Sequence, residues 1–352
     1  MLLELTPGVA PAQVEAVNAT VLALFEAIAA DTAGDAAALI RAAWPKEGGS
    51  PPKRALRAVL ELPAEERAEL LRCVRDDLRF AESVAVAGFA FSYATLPEHV
   101  RRASTPLLRE LYTTVLRGRG IALDGQPPLT RTTFERLFWD ANPGLRVCPA
   151  CLLQKLERLD AGSGVHVDHY LPKERYAPLS VHLGNLVPIC GPCNTTLKKR
   201  LDPLDLPVGG PRDLTELWFP YRSDGLSELE VVVRPNRPSA AFELRGRDDE
   251  PLFERRASAH EELFDLEARW TDDVHGWYET LVASVRAETA GVGAPVAEAA
   301  RAELERLARA SERELQTTPG AFPRARYLRW LLADADAFDA FLRRVVESSA
   351  TP

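Results

Sequence analysis

Four of the five cysteines fall in two pairs, Cys148-Pro149-Ala150-Cys151 and Cys190-Gly191-Pro192-Cys193. A tight turn at each pair can aim both sulfurs at one ion, and two such knuckles supply the four soft ligands of a tetrahedral structural zinc. Disulfides are the rival reading, disfavoured where a reducing compartment keeps thiols free. A redox Cys-x-x-Cys would explain one pair better than two. Zinc-ribbon knuckles usually stand about 15–20 residues apart, whereas residues 152–189 form an insert of 38 here. The fifth thiol, Cys73, sits among Leu70, Leu71, Val74 and Leu78 at helical spacing and reads as a small buried hydrophobe.

The insert has its own pattern. Val165-His166-Val167-Asp168-His169-Tyr170 alternates apolar and polar residues, the period of a short strand. Pro172 cannot continue a ladder, so the chain turns just past the Asp-His pair. Leu186 to Ile189 reads as a second strand running into Cys190, and Pro192 suits the first turn of a helix over Cys193–Arg200. The order is strand, loop, strand, helix.

This segment, about residues 146–200, resembles the HNH endonuclease family in its zinc-knuckled branch. That family's ββα-metal core carries Asp-His on its first strand, a mid-motif Asn, and a final His or Asn opening the helix. Asp168-His169, Asn185 and Asn194 match those positions, with Asn194 standing where His is commoner. The resemblance implies cleavage of DNA phosphodiester bonds with a catalytic Mg²⁺ or Mn²⁺. Asp168 and the Asn194 oxygen would hold that hard cation. His169 would take a proton from the attacking water, since imidazole is the side chain that titrates near neutral pH. Asn185 would brace the loop and orient His169. Lys198, four residues after Asn194 and so on the same helix face, would contact phosphate, with Lys199 and Arg200 extending the basic edge. Adjacent strand residues point to opposite faces, so a joint role for Asp168 and His169 predicts irregular backbone around 169–172. His166 reads as a partly exposed neighbour of the site. His99, His182, His260 and His275 carry no ligand spacing.

The elements around this segment are mainly helical. Val14, Val17, Val21, Phe25 and Ile28 follow three-to-four spacing, Pro45–Lys53 reads as a boundary loop, and a long helix is expected from Ala64. Glu228–Arg234 and Ala241–Arg245 read as paired strands around Pro235–Pro238. Leu263, Leu266, Trp270, Val274, Trp277, Leu281 and Val285 form a continuous helical stripe, and Tyr327–Glu347 a last helix beyond Pro319–Pro323. Trp218-Phe219-Pro220-Tyr221 resembles a short element that follows the core in some bacterial HNH proteins. The expected organisation is α+β: a helical region over 1–125, the ββα-metal core with its four-cysteine zinc site over 126–205, a loop and hairpin over 206–250, and a helical region over 251–352.

Net charge is −8, which argues against nucleic acid until it is mapped. Residues 101–200 hold 15 Lys/Arg against 8 Asp/Glu, leaving 28 against 43 elsewhere. A basic middle between acidic flanks is what a locally phosphate-facing protein shows. Arg101, Arg102, Arg109, Arg117 and Arg119, with Tyr112, are further candidates for backbone contact, or a solvated helix face. No apolar run approaches the ~20 residues of a membrane span, and neither a secretion signal nor a phosphate-cradling Gly-rich loop is present. The reading is a cytoplasmic DNA endonuclease of bacterial restriction or anti-phage defence type, without membrane association. Its acidic flanks suggest docking of a sensor or ATPase partner. An RNA-cleaving nuclease and a non-catalytic zinc module that binds nucleic acid or protein are the alternatives.

Overall fold

The computed structural model describes residues 1–30, 33–43, 51–84, 86–118, 120–123, 126–156, 165–199, 201–236, 238–290 and 295–347. Helices and two-stranded antiparallel sheets give an α+β chain. Its first part contains α1 (Pro11–Ala29), α2 (Ala33–Ala43), α3 (Pro51–Leu60), α4 (Ala64–Asp77), the one-turn α5 (Phe80–Ser83) and α6 (Glu98–Glu110). Val17, Val21, Leu24, Phe25 and Ile28 of α1 are buried in one core with Leu70, Cys73 and Val74 of α4. Contrary to expectation, α1 is long and apolar enough by composition to cross a membrane; here its apolar stripe faces that core. The boundary loop expected over Pro45–Lys53 is shorter at its end, because Pro51-Pro52 open α3, where proline's missing N–H is not needed. Residues 45–50 lie outside the described residues.

The chain leaves α6 through a π-helical turn, Leu111–Leu116, into β1 (Ile121–Leu123), β2 (Gln126–Leu129) and α7 (Arg131–Ala141). The Thr130 hydroxyl accepts from the Thr133 N–H at 3.0 Å and caps α7. β3 (Val165–His169) and β4 (Leu186–Cys190) then pair antiparallel, from Val165 opposite Cys190 to His169 opposite Leu186. Pro188 is tolerated within β4 because a two-stranded ribbon is all edge. A π-helical segment, Pro192–Lys198, follows where a regular helix is expected, and the Lys199 N–H reaches back to the Asn194 carbonyl at 3.1 Å.

Beyond it, the stretch Leu201–Pro220 contains a short ladder of β5 (Asp205–Leu206) with β6 (Gly210–Pro211). After α8 (Gly225–Glu228), the predicted hairpin is present and longer than expected: β7 (Leu229–Asn236) pairs with β8 (Ser239–Gly246). Helices α9 (Pro251–Phe264), α10 (Leu266–Thr289), α11 (Val296–Arg313), α12 (Ala321–Ala333) and α13 (Ala335–Glu347) complete the fold.

The continuous stripe from Leu263 to Val285 is interrupted. Asp265 takes a left-handed φ of 50°, and Glu261 accepts the N–H groups of Leu266 and Glu267 at 2.8 and 3.0 Å, capping a new helix. The last helix likewise divides at Asp334, and Pro323 lies inside α12 rather than before it.

The β3–β4 ribbon lies between two cores. Val167 and Leu186 join the core of α1, α4 and α6, while Tyr170, Val187 and Ile189 join a second core with the cysteine knuckles, the C-terminal helices and Met1–Leu5. The pleat of a strand sends alternate side chains to these two sides.

Candidate functional site

The sulfurs of Cys148, Cys151, Cys190 and Cys193 all lie within 4.8 Å of one another and are buried. Cys151 and Cys190 are 4.0 Å apart, close to the ~3.8 Å between sulfurs around a tetrahedral zinc with Zn–S of ~2.3 Å. All five cysteines are free thiols, Cys73 lying apart and buried in the N-terminal core. Burial pushes the Cys148 thiol well up, so four thiolates coexist there only against a cation. The donor set fits zinc. The first knuckle is a hairpin in which the Cys148 N–H donates to the Gln154 carbonyl at 2.8 Å, and the Cys190 N–H donates to Cys148 Sγ at 3.4 Å. Helices far along the chain clamp both knuckles. His260 Nε2 donates to the Ala150 carbonyl at 2.8 Å, Trp270 Nε1 to the Cys151 carbonyl at 2.9 Å, and Arg269 to Cys193 Sγ at 3.5 Å. The guanidinium offsets part of the charge of four thiolates.

Next along the chain, β4 ends at the second knuckle, so the four-cysteine cluster stands at one end of the ribbon that carries Asp168 and His169 at the other. The strand stays paired through His169, and the bends begin at Tyr170 and Leu171. The irregular backbone expected over 169–172 therefore starts one residue late, and the two side chains leave opposite faces of β3. His169 goes to the N-terminal side. Its Nε2 donates to the Ser180 carbonyl at 2.8 Å, and its ring meets Tyr112 edge-on with centroids 4.3 Å apart. A carbonyl only accepts, so Nε2 carries the proton and Nδ1 the lone pair. Burial, with Lys173 nearby, pushes the His169 pKa down to about 3. The ring is neutral across the physiological range, so the near-neutral titration expected of it is not met and it is a weaker proton acceptor than an ordinary imidazole.

Asp168 goes to the other side and is also buried. Lys198 Nζ lies 3.0 Å from its Oδ2 and donates at 2.8 Å to the His169 carbonyl. Lys198 is 1% exposed and does not reach out for phosphate, as its spacing from Asn194 suggests it would. Burial raises the Asp168 pKa, and Lys198 opposes that rise. Asn194 is half-buried, and among the described residues its side chain has no hydrogen-bond partner. The oxygens of Asp168 and Asn194 suit a hard divalent ion, and Asp168 Oδ2 lacks a hydrogen bond of its own; Lys198 competes for that carboxylate. No cluster of three His, Cys, Asp or Glu side chains forms around Asp168 among the described residues. A cation there would rely on water and substrate oxygens for the rest of its shell.

Asn185 lies inside the segment that joins β3 to β4. Fully buried, it accepts from the Leu171 N–H at 2.8 Å and donates to the Leu171 and Leu179 carbonyls at 3.0 and 3.3 Å. It closes the loop whose Ser180 carbonyl holds His169. Ser180 in turn donates to the Leu108 carbonyl of α6 at 2.6 Å. His166 is half-buried and faces Ile189. His182 is buried with its Nδ1 accepting from the Gly184 N–H at 3.2 Å. In the aromatic-Pro-Tyr element, Phe219 packs edge-on against Tyr170 and the Tyr221 hydroxyl donates to the Leu186 carbonyl at 2.6 Å. Arg119 and Arg200 lie outside the described residues. In the sequence Tyr112 is only an aromatic among arginines, and Ser180, His260 and Arg269 carry no local signal at all; each acts through contacts far apart in sequence.

No protein-family model matches the chain, and comparisons with curated proteins and with solved structures found no match either.

Proposed function

We propose that the chain is a metal-dependent endonuclease of HNH type that hydrolyses DNA phosphodiester bonds. The observation that carries this reading is His169: a neutral imidazole locked by Ser180 in the tautomer that leaves Nδ1 as a base, next in the chain to a buried carboxylate. Attack of water on phosphorus needs a proton acceptor, and Nδ1 takes that proton as the new P–O bond forms and the bond to the leaving oxygen breaks. A divalent cation, when held by Asp168 and Asn194, would supply Lewis-acid polarisation and neutralise charge on the phosphate. Asn185 and Tyr112 position the base through the loop and the ring. The thiolate centre keeps the ribbon in register and has no part in proton transfer.

Asp168 and His169 leave opposite faces of a strand that stays paired through His169, which counts against the two acting on one phosphate, so the reading rests on the base. Lys173, at the start of the turn after β3, is near enough for its charge to act on both Asp168 and His169. The Asp168–Lys198 pair favours a second reading, a zinc module that binds without cutting, because it already neutralises the carboxylate. Plasmid nicking in Mg²⁺ or Mn²⁺ separates the two, with single-stranded RNA alongside to test the polymer.

A further inference from the structure

Lys173 begins the turn after β3, and its Nζ stands 5.3 Å from the centroid of the Tyr112 ring. That ring in turn touches His169. The ammonium is half-buried, yet among the described residues it has no carboxylate within ion-pair reach and no hydrogen-bond acceptor. Removing a cation from water without an anion beside it is costly, and a ring face offsets only part of that cost. Arg109, at the end of α6, approaches Glu174 at 3.7 Å with both side chains 42–45% exposed, a loose pair of small worth. Burial pushes the Lys173 pKa down, and the charges of Arg109 and Arg117 add to that push against Glu174 and Asp168. Arg109 and Arg117, both from the N-terminal helical region, are near enough for their charges to act on Lys173.

We propose that Lys173, Arg109 and Arg117 form a seat for backbone phosphates of nucleic acid beside the bond that is cut, so that Lys173 makes the phosphate contact for which Lys198 is buried too deeply. The inference rests on the nuclease reading and extends it, because it makes the N-terminal helices part of the substrate surface. Phosphodiester chemistry is common to DNA and RNA, so both polymers enter the test.

The experiment is fluorescence anisotropy of the full-length, zinc-loaded chain on a labelled 20-base-pair DNA duplex and on single-stranded RNA. It runs without Mg²⁺ or Mn²⁺ between 50 and 200 mM KCl. Each phosphate contact removed lowers the slope of log affinity against log salt by about 0.9 on duplex DNA. Lys173→Met, Arg109→Met and Arg117→Met should each give that loss and Lys173→Arg should restore it, while the remote Arg313→Met should leave the slope unchanged. Melting curves identify any variant that has lost its fold, and the independent Arg117→Met then carries the test. Wild-type slopes in all three Met variants would overturn the seat and leave the nuclease reading standing. Reduced slopes without any cleavage once Mg²⁺ is added would keep the seat and remove the nuclease. A wild-type chain that binds neither polymer would remove both.

Discussion

Lys198 Nζ lies 3.0 Å from Asp168 Oδ2 with the two side chains 1% and 4% exposed, so the one carboxylate on the site strand is met by a cation drawn from the segment that follows the second cysteine knuckle. The pair joins the strand to the π-helical segment, and its loss leaves a buried charge uncompensated. Breaking such a pair costs about 3–5 kcal/mol. Lys198→Met should therefore lower unfolding stability in urea by about 3 kcal/mol. Millimolar Mn²⁺ should restore part of it in the variant more than in wild type, because the freed carboxylate can then bind the ion. Equal urea midpoints, or no response to Mn²⁺, would show that Asp168 does not offer a cation site.

The thiolate centre makes a separate prediction. Cys190→Ser removes one of four ligands at the point where β4 meets the knuckle. Purified wild type should carry about one zinc per chain by elemental analysis, and the variant should lose it together with cooperative unfolding. Cys73→Ser, in the other core, should keep the full zinc content with only a modest drop in stability.

Acid should destabilise the fold through its buried histidines. Burial pushes His182 down to about 4 from an ordinary 6.5. Its contribution is therefore present above pH 6.5 and lost as pH falls toward 4, because the unfolded chain takes up a proton that the folded chain refuses. The slope is about 1.4 kcal/mol per pH unit for one such group. Urea midpoints at pH 7.0 and 5.0 should differ less in His182→Gln than in wild type. Identical slopes would mean that His182 titrates normally.

Tyr112 supports the imidazole from the N-terminal side. Tyr112→Leu should lower the rate of cleavage about tenfold while leaving nucleic-acid affinity nearly unchanged, since the ring orients the base without meeting phosphate. A parallel loss of affinity would instead place Tyr112 in the binding surface.

Much of the local design is legible in the residues themselves. Both knuckles and the starts of β3 and β4 are specified by neighbours a few residues away, through turn chemistry and period-two alternation, whereas Asn185 is singled out only through the resemblance. Lys198 escapes that logic because a four-residue spacing aligns side chains only on an α-helix, and the observed π-helical segment winds more residues into each turn. The break at Asp265 carries no glycine or proline to mark it; Glu261 caps the next helix from the preceding one. Tyr112, Ser180, His260 and Arg269 are invisible in the sequence because tertiary packing alone brings them to the ribbon and the knuckle.

Supercoiled plasmid incubated with wild type and with His169→Ala in Mg²⁺ or Mn²⁺ tests the central claim most directly. The account predicts nicked or linear DNA with wild type and a loss of at least about a hundredfold with the variant, in keeping with the worth of a general base. The variant should keep wild-type zinc content and an unchanged DNA-binding curve. Plasmid cut equally well by both proteins, or left intact by wild type under every metal condition, would contradict it.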